Sequence, residues 1–224
     1  SIRNFKEYPV SDDTVIELIE AGQSAASSNF VQAYTVIQVK DPEKRRIMAE
    51  IAGNQNHVET SPVFLVFVAD LERARLCSTL HGENMEEGQT EAFIIATVDT
   101  ALMAQNLMIA AESMGLGGVY IGALRNNPRI VSELLELPEH TYPLFGMCLG
   151  YPASINEKKP RLPAKLVLKT DTYQNGAEVQ LLEKYDQTIS EYYSKRSSLN
   201  RSDNYTQQMA RMFSKPLRPH MKAC

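Results

Sequence analysis

The longest apolar stretch covers residues 92–114, with no Pro or Gly, with Asp99 and Glu112 as its only charges, and with apolar residues all round the helical wheel. Good helix formers dominate it, so the pattern predicts one long helix. A helix without a polar face has to be covered on every side. One domain of this size rarely encloses so long a helix completely, so the pattern predicts a core helix that also packs against a second copy of the chain. Its length approaches that of a membrane span, but Thr97, Asp99, Thr100, Gln105 and Asn106 lie in its middle, where lipid would leave them unpaired. Gly115 and Gly117 then offer a left-handed stop, and residues 118–122 read as a short buried strand. The order is helix, glycines, strand, the reverse of a dinucleotide fingerprint, and Tyr120 occupies the place of its third glycine. Two readings of these glycines stay open: a helix cap with close packing, or a backbone laid against a flat ligand.

Before this helix, Ser11 is placed to cap a helix running to about Ala26, with Val15, Leu18, Ile19, Gly22, Ala25 and Ala26 on its buried face. Residues 27–32 break that pattern with polar side chains, either a helix exit or a functional loop. A strand is predicted over 34–39, a helix from Pro42 to Ala52 ended by Gly53, and a central strand over 62–69, apolar at every position. A strand of that composition is buried on both faces, so the sheet lies between helices. Residues 70–89 turn charged and read as an exposed, mobile excursion. A turn over 124–128, a helix over 129–137 and a buried strand over 143–150 follow, with Cys148 as a small core residue, and then a Pro- and Lys-rich loop to 165. Leu181, Leu182, Tyr185, Ile189 and Tyr192 form the stripe of a further helix, residues 194–202 are polar, and a last helix is expected over 205–213. The expected organisation is α+β: a core over 1–170 and a helical extension over 171–224 that has little core of its own and lies on a partner subunit.

Composition narrows the function classes. A net charge of -4 gives no basic field for nucleic acid or an anionic membrane. Cys77, Cys148 and Cys224 are odd in number and unpatterned, which argues against a disulfide framework and fits a reducing cytoplasm. His57, His81, His140 and His220 have no ligand spacing, so no metal is expected. The sequence starts at Ser1 without Met or a signal peptide, and a short preceding segment is expected.

Several blocks, in order and at compatible distances, carry a resemblance: SIR at 1–3, SSNFVQAY around residue 30, GNQNHV from 53, VDTALMAQNLMIAAESMGLGGVYIGALRN, PLFGMCLGYP and KPRLP. Together they resemble the oxygen-insensitive NADPH nitroreductases of the major type, the flavin reductase P group of FMN-dependent NADPH oxidoreductases. The resemblance implies a nitroreductase fold: a mixed central sheet flanked by helices in an interwoven homodimer, with one FMN per subunit in a pocket built by both chains. It assigns FMN phosphate contacts to Ser1 and Arg3, in a motif whose two preceding residues the sequence lacks, and to Lys159 and Arg161. A phosphate favours such charge-assisted donors. It lays the flavin ring against Tyr120, Ile121, Gly122 and Ala123, the last standing where relatives commonly have glycine, and gives Gln55 a hydrogen bond to the ring. Ser27, Ser28, Asn29 and Gln32 line the flavin across the dimer, and Phe30 is a lid over the substrate face. Arg196 and Arg201 grip the 2′-phosphate of NADPH, and Arg218 stands beside the substrate opening.

The implied reaction is ping-pong: NADPH passes a hydride to the flavin and leaves, and an oxidant then takes two electrons at the same face. Nitroaromatics, quinones and free flavins are the implied acceptors. The cofactor carries the chemistry, and no side chain is assigned a catalytic role in the strict sense. Two alternatives stay open: a reductase that mainly supplies free reduced FMN or reduces disulfides, and a flavin-binding protein without turnover.

Overall fold

The computed structural model describes residues 1–173, 176–194 and 204–223. The chain divides into two compact units, Ser1–Asn156 and Glu157–Cys224.

In the first unit, helices α1 (Asp12–Gln23), α2 (Pro42–Ile51), α3 (Asn56–Thr60), α4 (Glu72–Leu80), α5 (Thr90–Ser113) and α6 (Pro128–Leu135) surround strands β1 (Tyr34–Gln38), β2 (Val63–Asp70), β3 (Gly117–Ile121) and β4 (Thr141–Gly150). The sheet order is β1-β2-β4-β3. All three pairings are antiparallel, so the α+β class stands, while the mixed strand sense expected of the sheet is absent among the described residues. Across the sheet, neighbours alternate in direction; β2 and β3 run the same way, joined by a crossover through α4 and α5 to the opposite end of the sheet, but β4 lies between them and pairs antiparallel with both.

Every residue of β2 is buried, as its unbroken apolar run predicts. Alternate side chains serve different cores: Val63, Leu65 and Phe67 pack with Val15 and Leu18 of α1 and Met103 and Leu107 of α5, whereas Phe64, Val66 and Val68 pack with Met48 of α2 and Val131 of α6. Proline at position 143 is tolerated inside β4 because the β2–β4 register shifts there, between Phe67 and Val68.

Ser11 caps α1 through Thr14 N–H at 3.1 Å, and Asp41 caps α2 through Glu43 N–H at 2.8 Å, with Pro42 in its first turn. Helix α1 stops at Gln23, short of the expected Ala26. Helix α6 stops at Leu135, short of the expected residue 137, because Glu136 turns into the left-handed region at φ 52°. The charged stretch 70–89 contains a helix, α4, that hydrophobic periodicity did not predict. Asp70 Oδ1 accepts from Glu72 N–H at its start, and Arg75 pairs with Glu72 at 2.6 Å.

Helix α5 ends at Gly115, whose φ is +79°, as expected of a left-handed stop. Gly117 has no positive φ; a Cβ there would lie 2.7 Å from Ile2 Cγ1, so it serves close packing instead. Length and composition alone would let α5 cross a membrane. Several of its polar groups, however, bind protein: Asn106 Nδ2 donates to Ala21 O at 2.9 Å, Thr100 Oγ1 donates to Ala96 O at 2.6 Å, and Asp99 is 1% exposed with three donors. Its other face is apolar and open, with Ile94, Val98, Leu102 and Ile109 about half exposed.

In the second unit, α7 (Ala164–Val167), α8 (Glu178–Ser194) and α9 (Tyr205–Phe213) follow. Tyr185, Ile189 and Tyr193 form a small core with Leu162, Tyr192 and Tyr205. Asn204 caps α9 and Gln207 reaches back to it.

Candidate functional site

The candidate residues of the first unit fall into two groups. One follows the β3 edge of the sheet. Ile2 N–H donates to Gly118 O at 2.9 Å, which lays Ser1 and Arg3 alongside β3, and Asn156 Nδ2 donates to Ser1 O at 3.0 Å. Gly118 is required here, since a Cβ would stand 2.6 Å from the Cys148 carbonyl oxygen and 2.7 Å from Leu149 Cδ2. Tyr120 is 36% exposed on this strand, with most of its ring covered, its hydroxyl donating to Gln105 Oε1 at 3.3 Å and its ring set edge-on to Phe145. Burial, with the Glu112 charge a smaller contribution, pushes the Tyr120 phenol up to about 12.

Ile121 is buried, and Gly122 and Ala123 lie half-buried in the 3-10 turn Gly122–Asn126. Gln55, at the start of α3, donates to Ala52 O at 2.7 Å, and Asn126 Nδ2 donates to Ile51 O at 3.0 Å. The C-terminal end of α2 thus holds Gln55 and the 122–126 turn side by side. Arg125, which sequence reasoning did not single out, brings its guanidinium within 3.4 Å of where a Gly122 Cβ would be and donates to the Leu144 carbonyl. Arg3 is exposed and lines a cleft of about 640 Å³ with Lys6, Asn56, His57 and Thr60. Burial first, and the Arg3 charge second, hold the His57 imidazole below its ordinary pKa, so this cleft favours a neutral histidine beside fixed cations.

The second group is the loop over 27–32. Asn29, Phe30 and Gln32 take φ values of 48°, 60° and 52°, a left-handed conformation that costs a non-glycine residue about 1–2 kcal/mol each. Asp99 accepts from Ser27 Oγ–H at 2.8 Å, Ser28 N–H at 2.9 Å and Ala33 N–H at 3.3 Å. Ser27 Oγ in turn accepts from Gln32 N–H at 2.8 Å. On the far side Arg73 donates to Gln32 O at 3.2 Å and Tyr34 O at 3.3 Å, and it pairs with Asp70 at 3.6 Å. The Tyr34 phenol is raised by burial and next by the Asp99 charge. Phe30 projects from this frame 82% exposed. Phe30 is therefore not taken up in the core of this unit.

The two groups stand at opposite edges of the sheet, because the loop leads into β1 and the other set rides on β3. Tyr34 pairs across to Ala69 and on to Tyr142, whereas Ile121 pairs with Gly146. Three strand spacings and four residues of rise put Tyr34 and Ile121 roughly 20 Å apart.

In the second unit, Lys159 and Arg161 are exposed. Lys159 Nζ lies 5.2 Å from the Tyr193 ring centroid, and Tyr185 Oη donates to Pro160 O at 2.9 Å, so this segment is held on α8. The Tyr185 phenol is raised by burial, against the lowering influence of Lys159 and Arg161. Arg218 is half-buried with φ 43°. Arg196 and Arg201 lie outside the described residues. Among the described residues, no group of three or more His, Cys, Asp or Glu side chains could hold a metal ion.

Residues 1–151 match the family model described as "Nitroreductase family", and residues 159–224 match "Nitroreductase family, C-terminal domain". The FMN reductase (NADPH) of Bacillus subtilis (strain 168) is 42% identical over 213 residues, covering 93% of this chain and 86% of that protein. The oxygen-insensitive NADPH nitroreductase of Salmonella typhimurium (strain LT2) is 43% identical over 220 residues, covering 98% and 89%. Among solved structures, B. megaterium NfrA1 superposes with a TM-score of 0.95 at 44% identity, covering 100% of this chain and 92% of that one.

Proposed function

From the premise that the chain belongs to the nitroreductase family, we propose that it is an FMN-dependent NADPH oxidoreductase acting as a cytoplasmic homodimer. It passes two electrons from NADPH, by a ping-pong cycle, to nitroaromatics, quinones or free flavin. When bound, FMN supplies the hydride acceptor and the two-electron donor.

The residues present fit that group. Tyr120, Ile121, Gly122 and Ala123 offer backbone polar groups at a sheet edge for a flat heterocycle, and Gln55 supplies an amide beside the same turn. Arg3 is an exposed donor for a phosphate. Ser1, Lys159 and Arg161 are given the same role by the family resemblance, as Arg196 and Arg201 are for the NADPH 2′-phosphate and Arg218 for the substrate opening. Ser27, Ser28, Asn29 and Gln32 line the flavin, and Phe30 covers its substrate face.

The observation that carries the shared site is the roughly 20 Å between Tyr34 and Ile121, estimated from strand spacing and rise. One flat ring cannot touch both sheet edges of a single chain. In a dimer, the loop of one copy meets the β3 edge of the other. The open apolar face of α5 gives the two copies a surface to bury, and the extension over 171–224 wraps the partner.

The test is an absorption spectrum of the purified protein before and after excess NADPH without oxygen, followed by turnover with nitrofurazone, menadione, FMN and cystine. Flavin absorbance that bleaches with NADPH and returns with menadione is expected. A flavin that fails to bleach would make the chain a flavin carrier, and absence of flavin binding would remove the reading.

A further inference from the structure

The loop over 27–32 poses a physical problem that its own sequence does not solve. Three of its residues, Asn29, Phe30 and Gln32, are non-glycine and left-handed. Asparagine enters that region readily, but phenylalanine and glutamine do not. Something outside the loop has to hold it there. The backbone-to-backbone hydrogen bonds within the loop, Phe30 N–H to Ser27 O at 3.4 Å and Val31 N–H to Ser28 O at 2.9 Å, close a single tight turn. Neither of them fixes the Gln32 backbone, and the Gln32 side chain alone reaches back to Phe30 O at 3.3 Å.

From outside the loop, Arg73 donates to Gln32 O at 3.2 Å, and the larger support, at both ends, comes from one carboxylate. Asp99 is 1% exposed in the middle of α5, and among the described residues its recorded donors all come from the loop and its exit: Ser27 Oγ–H and Ala33 N–H on Oδ2, and Ser28 N–H on Oδ1. Both ends of the loop are therefore fixed to one side chain, and Ser27 Oγ passes the tie on to Gln32 N–H. A buried carboxylate is costly without donors, and these donors are costly without an acceptor, so each stabilises the other. The arrangement calls for aspartate. Every partner donates, and a carboxylate accepts on both oxygens, whereas asparagine would turn an NH₂ toward at least one donor.

We propose that Asp99 is a positioning residue for the flavin-facing loop: its carboxylate holds the 27–32 loop in the shape that needs left-handed Asn29, Phe30 and Gln32, and thereby sets where Ser28, Asn29, Gln32 and Phe30 stand. This rests on the assignment of the loop to the flavin under "Proposed function". Asp99 itself touches neither cofactor nor substrate, and it acts through Ser27, Ser28 and Ala33.

The chain contains no tryptophan, so Phe30→Trp places a single indole on the loop. Time-resolved anisotropy of that indole is compared in the full-length protein with Asp99 intact and with Asp99→Asn, in the flavin-free and flavin-loaded forms, alongside FMN titration. The expected result is a fast, large-amplitude loop motion in flavin-free Asp99→Asn that the Asp99 protein lacks, with an FMN dissociation constant raised about tenfold or more. KM for the acceptor should rise more than kcat falls, because a loosened lid weakens binding at the open face before it affects hydride transfer.

Should Asp99→Asn fail to fold, Ser27→Ala cuts only the tie from Asp99 to Gln32 and is read by the same anisotropy. Unchanged loop motion in both variants would overturn the proposal. A loosened loop with unchanged FMN affinity and unchanged KM would also overturn it, since the loop would then position nothing for the flavin. Absence of FMN binding with Asp99 intact would instead remove the functional reading beneath it, and the anisotropy would still report whether Asp99 holds the loop.

Discussion

The open face of α5 sets the sharpest test of the proposed homodimer, through Leu102→Asp. Ile94, Val98, Leu102 and Ile109 form a stripe along that helix and are 47%, 47%, 45% and 56% exposed. Complete burial of such a side chain stabilises by about 1.5–3 kcal/mol, so covering the remaining half contributes about 1 kcal/mol each, roughly 8 kcal/mol for two copies. That is comparable with the roughly 4–15 kcal/mol that association costs in lost freedom, so the stripe is a necessary part of the interface. Leu102→Asp removes about 1 kcal/mol per copy. It also brings two carboxylates out of water, at several kcal/mol each when unpaired. A total above about 4 kcal/mol weakens the dimer at least a thousandfold. Sedimentation equilibrium over a dilution series should give about twice 25.1 kDa for the parent and a shift toward 25.1 kDa for the variant. Leu80→Asp, at an 82% exposed position on α4, is the control and should leave the mass unchanged. A Leu102→Asp protein that stays dimeric on dilution, or a parent that binds FMN as a monomer, would refute the reasoning.

Three further predictions follow from single positions. Arg161→Ala should weaken FMN retention roughly tenfold to a hundredfold, the worth of one hydrogen bond to a charged group, and fluorescence titration of the flavin-free protein checks it. Gly118→Ala should destabilise by about 1–3 kcal/mol, because its Cβ would stand 2.6 Å from a backbone carbonyl that cannot move aside; Gly176→Ala, with nothing within 4 Å, should do far less in the same thermal melt. Burial pushes the Cys148 thiol up to about 11 from an ordinary value of 9.0, so the unfolded chain loses that proton first as pH rises. Its contribution is complete below about pH 9 and is lost through pH 11, amounting to about 2–3 kcal/mol more lost stability than Cys148→Ala shows in urea titrations across that window.

Much of the fold was legible because burial leaves a composition that local reading detects. β2 is buried at every position, both its faces being covered, and one face of α5 meets the sheet and α1 while its other apolar face stays open in the single chain. α4 escaped because ERARLCSTL has no buried residue, and its helix rests on local pairs such as Arg75 with Glu72 and on the Asp70 cap. α3 escaped because five residues are too few to show a period. The strand sense of the sheet was carried over by resemblance, and no residue of the four strands encodes it.

The site was legible to a different depth. The glycines after α5 left two readings open, and the geometry carries the first: Gly115 is the cap, and Gly117 and Gly118 are close packing. Asp99 looked like a polar interruption in an apolar helix. Its meaning depends on donors 66 to 72 positions away in the chain, which no local pattern can supply. A signal was nonetheless present, because a charge at the centre of a helix with no polar face has to be satisfied by some other segment. The nearest polar break before β1 is the 27–32 loop. A buried carboxylate and a loop rich in unpaired donors, each unexplained alone, form one unit once the helix and the loop are placed side by side.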